Sequence, residues 1–133
     1  MMHHAKGAFE VKLQPQGAAD EAEGSQLGRM SIDKSFTGDL NATSKGEMLT
    51  ALTDVKGSAA YVAIERVTGT LHSRSGSFVL AHQGAMARGE SQLSISVVPD
   101  SGTGQLAGLT GQMKIIIVEG KHFYEFDYSL PAQ

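Results

Sequence analysis

From Phe9 onward the chain changes polarity at almost every step, and its runs break at glycine, proline and short polar clusters. A period of two places successive side chains on opposite faces of an extended strand, whereas an amphipathic helix needs its apolar residues three or four apart. A chain patterned this way builds its core from sheet. Phe9, Val11 and Leu13 alternate with Glu10, Lys12 and Gln14 until Pro15 and Gly17 end the segment. An acidic loop, residues 18–24, follows. Met30, Ile32 and Phe36 then share one face, with Lys34 as its exception, while Arg29, Ser31, Asp33, Ser35 and Thr37 share the other.

Residues 40–54 are read as strand, although Met48, Leu49 and Leu52 also suit one face of a short helix. SAAYVAIERVTGTL and SFVLAHQGAM, separated by the turn-rich HSRSG, form a predicted hairpin. In QLSISVVP, Leu93, Ile95 and Val97 point one way, and Pro99 ends the run because proline cannot donate to a ladder. MKIIIV and KHFYEFDYSL flank Glu119 and Gly120, a two-residue connection in which glycine supplies the positive φ of a tight hairpin. Eight strands at regular spacing without a long helix predict an all-β architecture, a small closed antiparallel eight-stranded β-barrel or a sandwich. Gly38, Gly69, Gly84 and Gly89 fall where bends let a sheet curl. At 133 residues the chain is one domain. Residues 1–7, including His3 and His4, are expected to fray as a tail.

Charge and composition exclude several classes. Eleven basic against 14 acidic residues give a net charge of −3, spread without blocks, so a nucleic-acid partner is not expected. No cysteine is present, which removes thiol catalysis and disulfide staples. The longest apolar run, Ile115, Ile116, Ile117 and Val118, is too short to span a bilayer as a helix, and no basic-then-apolar leader is visible. A soluble, cytoplasmic protein with no membrane partner is the expectation. That same run is apolar on both faces, so Ile116 and Val118 stay exposed unless covered, which predicts a homo-oligomer joined there.

Chemistry-bearing patterns are sparse. The glycines of residues 100–111 precede a strand and not a helix, and no lysine completes a phosphate loop, so they are read as turns. No serine sits in a Gly-x-Ser-x-Gly elbow. His82 shares a face with Phe78 and Leu80, and His122 shares one with Tyr124, Phe126 and Tyr128, so both histidines can point inward. Two histidines with Glu65 or Glu119 would suit a metal, but no ligand spacing marks one, and neither a metal nor a cofactor is expected. Glu65 and Arg66 lie on opposite faces of residues 61–67, and periodicity does not choose between them. An inward Glu65 is favoured, with the Tyr61 hydroxyl as a partner. Burial near His82 would raise its pKa and suit it to acid–base work.

The segments YVAIERVTGTL, GSFVLAHQGAM, VVPDSGTGQLAGLTG and GKHFYEFDYSL, in this order, resemble a bacterial family of small proteins of unknown function whose members are similar to the allene oxide cyclase barrel. The resemblance runs over residues 9–130. It implies a small closed antiparallel β-barrel related in shape to lipocalins, and it carries over no catalytic residues. A barrel of this size is filled by side chains or holds one small ligand. The leading expectation is therefore a binder of a small apolar or amphipathic ligand, with Tyr61, Glu65, His82, His122 and Tyr124 as polar contacts. The alternatives are a cyclase- or isomerase-type enzyme in which Glu65 or His82 moves a proton, and a structural or interaction module with a filled barrel.

Overall fold

The computed structural model describes residues 2–131. Nine strands follow one another: β1 (His3–Pro15), β2 (Asp20–Ala22), β3 (Ser25–Gly38), β4 (Leu40–Thr53), β5 (Ala59–Leu71), β6 (Arg74–Ala87), β7 (Glu90–Val97), β8 (Thr110–Val118) and β9 (Lys121–Ser129). From β3 to β9 each strand pairs with the next, and β1 pairs antiparallel with both β9 and β3. Eight strands thus close into a barrel, and the short β2 adds to β3 outside the ring. Closure removes the unpaired edges that an open sheet would expose. The weakest joint lies between β7 and β8, which meet in register at Ser96 and Gln112.

Two expectations meet corrections, and a third, the strand reading of residues 40–54, holds over 40–53. The acidic loop contains β2, whose residues find partners on β3. The amino-terminal residues from His3 are not a frayed tail: His3 to Gly7 pair with Tyr128 to Tyr124 of β9. That half of β9 needs a ladder partner for the ring to close, and His4 adds a 2.6 Å hydrogen bond to Asp127. Residues 40–53 are strand throughout, because β3 and β5 satisfy their backbone groups from both sides. The apparent helical spacing dissolves there, with half-buried Met48 on the inward row and Leu49 exposed to solvent. The β8–β9 hairpin follows the expectation, with Glu119 and Gly120 both at positive φ (51° and 79°).

The inward rows explain where the core sits. At one end, Leu40, Leu71, Phe78, Phe126 and Tyr128 are buried, and the 98–109 loop folds over β6 so that Leu106 and Leu109 join them. Burying side chains of this size stabilises by roughly 1.5–3 kcal/mol each. Phe78 and Phe126, both buried, stack at 5.8 Å between centroids. At the other end the same inward rows emerge into solvent, with Leu13 42%, Leu52 50%, Met86 41% and Leu93 46% exposed. The barrel is therefore not hollow along its length. One end is plugged, and the other opens at a rim of exposed apolar side chains. No helix among the described residues is long and apolar enough to cross a membrane.

Candidate functional site

The two charged residues that interrupt the apolar inward rows meet inside the barrel. Of the two faces of residues 61–67, the one carrying Tyr61, Ala63, Glu65 and Val67 turns inward, and Val62, Ile64 and Arg66 face solvent. Glu65 is fully buried and Lys34 is 8% exposed. The Lys34 ammonium donates to Glu65 Oε2 at 2.8 Å, His82 Nε2 approaches the same oxygen at 2.5 Å, and Ser44 Oγ donates to Oε1 at 2.6 Å. The Lys34 ammonium also lies 5.1 Å from the Phe9 ring centroid and 5.8 Å from that of Phe36, which offsets part of its desolvation. Among the described residues no buried side-chain nitrogen or oxygen is left without a partner.

Burial by itself would push the Glu65 carboxyl up. The hydrogen bond from His82, the charge and hydrogen bond of Lys34, and the Ser44 hydroxyl together outweigh it and hold the group at about 2. The expected upward shift is thus reversed, because the donors stabilise the charged form that desolvation penalises. A carboxylate saturated with donors and closed to solvent accepts hydrogen bonds and orients its neighbours. It is not placed to exchange protons with a guest.

Tyr61 links the cluster to the open rim. The Tyr61 hydroxyl stands 3.5 Å from His82 Nδ1, and the two rings lie 6.2 Å apart. Burial and then the Glu65 charge push the Tyr61 phenol up. Its ring covers Gly84, where a Cβ would meet Tyr61 Cε1 at 2.5 Å, so glycine there makes room for the tyrosine. Tyr61 in turn lines an apolar pocket of about 300 Å³ at the open rim, bounded by Met48 and Leu52 of β4, Ala59 of β5, Met86 of β6 and Leu93 of β7. Thr50, Ser91 and Gln92 add polar groups, and no charged side chain lines it.

Of the five sequence-derived candidates, the structure brings together Tyr61, Glu65 and His82. His122 is half-buried with its ring 5.2 Å from Phe9, away from this cluster. Tyr124 is a clasp: its hydroxyl accepts from Leu40 N at 2.8 Å and donates to Thr37 O at 2.8 Å, pinning the β3–β4 turn. Lys34 and Ser44 belong to the cluster and were not among the candidates. The signal for Lys34 was present as a cation on an apolar row, matched by one anion on another such row. Ser44 had none. Among the described residues no group of three or more His, Cys, Asp or Glu side chains is gathered to hold a metal.

Comparison with known proteins places this architecture. No curated protein matches the chain. A solved structure from Shewanella oneidensis, described as a protein with unknown function from the DUF3224 family, is similar to it at 52% identity and a TM-score of 0.95, covering 100% of both chains. The family model described as "Protein of unknown function (DUF3224)" matches residues 5–128, nearly the whole barrel. The chain belongs to the DUF3224 family.

Proposed function

We propose that this protein binds a small apolar or amphipathic molecule in the rim pocket, with the apolar part against Met48, Leu52, Met86 and Leu93 and a polar group near Tyr61. The observation that carries the reading is the composition of that pocket: about 300 Å³ of mostly apolar wall containing a tyrosine tied to a buried charged cluster. Binding sites typically combine such walls with a few placed polar groups, and this one lies at the small end of their range. Of the five candidates, Tyr61 is the direct contact in this reading. His82 and Glu65 act through it, while His122 and Tyr124 serve packing and turn geometry.

Native mass spectrometry of freshly purified protein, with thermal-shift screening of lipid extracts, tests the proposal. A retained or stabilising molecule is expected, and Ala59→Phe, which fills the pocket, should abolish the effect. Retention of the same molecule by that variant would refute the assignment of the site. A second reading, an acid–base enzyme of the cyclase or isomerase kind, draws support from the Tyr61–His82–Glu65 chain, with His82 taking the proton and Glu65 holding the imidazole. Its discriminating result is turnover lost in Tyr61→Phe with the fold intact.

A further inference from the structure

We infer that Tyr61 faces the rim pocket as a hydrogen-bond acceptor, so that the site selects apolar molecules carrying a hydrogen-bond donor, such as an alcohol, over ketones and carboxylates. This rests on the binding proposal above and adds to it the chemistry of the guest's polar group.

The reasoning starts at the buried end. The Glu65 carboxylate only accepts, so His82 Nε2, 2.5 Å from Oε2, must carry a hydrogen. The charge of Glu65 is already balanced by Lys34 at 2.8 Å. A further proton on His82 would bury a second cation against one anion, and His82 is 6% exposed. The imidazole is therefore neutral, and its Nδ1 presents a lone pair. The group facing that lone pair is the Tyr61 hydroxyl at 3.5 Å, whose single hydrogen is directed inward to it. What remains for a guest is the phenolic oxygen with its lone pairs. A guest hydroxyl donates to it favourably, while a carbonyl oxygen there meets lone pair against lone pair. A carboxylate fares worse, because it is an acceptor entering an apolar pocket with no cation in its lining. Thr50, Ser91 and Gln92 also line the pocket, but the rotating hydroxyls and the amide offer donor and acceptor alike and impose no such preference. The buried cluster thus sets a polarity at the rim by fixing one tautomer and one hydroxyl rotor.

The test compares 1-octanol, 2-octanone and octanoate, followed by NMR titration of the methyl groups of Met48, Met86 and Leu93. One net hydrogen bond corresponds to about a five-fold difference in Kd, so 1-octanol should bind about five-fold tighter than 2-octanone. Tyr61→Phe should erase the difference. His82→Gln, whose amide can still donate to Glu65 but offers nothing at the Nδ1 position, should release the Tyr61 hydrogen and shift the preference toward the ketone. Equal affinities, or tighter binding of 2-octanone or octanoate by the unaltered protein, would overturn the inference while leaving the pocket a binding site. No methyl response to any of the three would overturn both. An alcohol preference that survives Tyr61→Phe would also overturn it, since another group would then be reading the donor.

Discussion

Glu65→Gln preserves volume and removes one buried charge, and the structure fixes how its effect should depend on pH. In the folded barrel the carboxyl sits at about 2, against 4.5 for the free side chain. A depressed carboxyl stabilises the fold above its unfolded pKa, and that contribution drains away as pH falls toward the folded value. The shift corresponds to about 3 kcal/mol at roughly 1.4 kcal/mol per unit, and full burial of the group leaves little solvent to screen it. An independent route gives a similar figure, because removing one partner of a buried ion pair and stranding the other costs about 3–5 kcal/mol. Urea unfolding followed by far-ultraviolet circular dichroism, on the wild type and Glu65→Gln, reads the difference directly. We expect the variant to be about 3 kcal/mol less stable between pH 7 and pH 5. The gap should narrow steadily below about pH 4.5 as the wild type loses what the variant never had. Lys34→Met should be similarly destabilising, and the double variant should recover much of the loss, since no charge is then stranded. Stability curves for wild type and Glu65→Gln that run parallel from pH 7 to the acid transition would refute the assignment of a buried, donor-saturated carboxylate at this position.

Other consequences are sharper in kind than in size. Tyr124→Phe strands the buried Leu40 amide that the hydroxyl receives, so it should cost about 1–3 kcal/mol in urea unfolding while leaving pocket binding untouched. Altered guest affinity in that variant would mean the residue is more than a clasp. Gly84→Ala drives a methyl into the Tyr61 ring, and because that tyrosine is only half-buried it should swing aside at a cost of about 1–3 kcal/mol and weaken guest binding. Wild-type values on both measures would show that the ring does not depend on this contact. We propose that the protein self-associates through the outer row of β8, where Ile116 is 38% and Val118 is 51% exposed. Light scattering should give a mass above one chain that falls to one chain in Val118→Lys, and identical masses for the two proteins would dispose of it.

Local chemistry was enough to write most of the strands. Alternation of Phe9, Val11 and Leu13, the β-branched run through residues 61–67 and the Glu119–Gly120 turn act over a few residues, and their consequences appear where the letters put them. Other features depend on partners far away in the chain. His3 to Gly7 look like a loose end until β9 requires a neighbour, and residues 48–52 are ambiguous until β3 and β5 claim their backbone groups from both sides. The inward choice of Glu65 over Arg66 is equally nonlocal. Both faces of that strand are apolar enough to be buried, and the decision goes to the face whose charge finds Lys34, 31 residues earlier, together with Ser44 and His82. The location of the room for a guest belongs to the same class. Inward rows of nearly uniform apolar character give no hint of which end will be plugged. It is the fold of the 98–109 loop, carrying Leu106 and Leu109 into the core, that closes one end and leaves the rim beside Tyr61 open. Periodicity reports the direction of a side chain relative to its own strand, whereas a buried charge or a cavity is decided by what several strands bring to the same point in space.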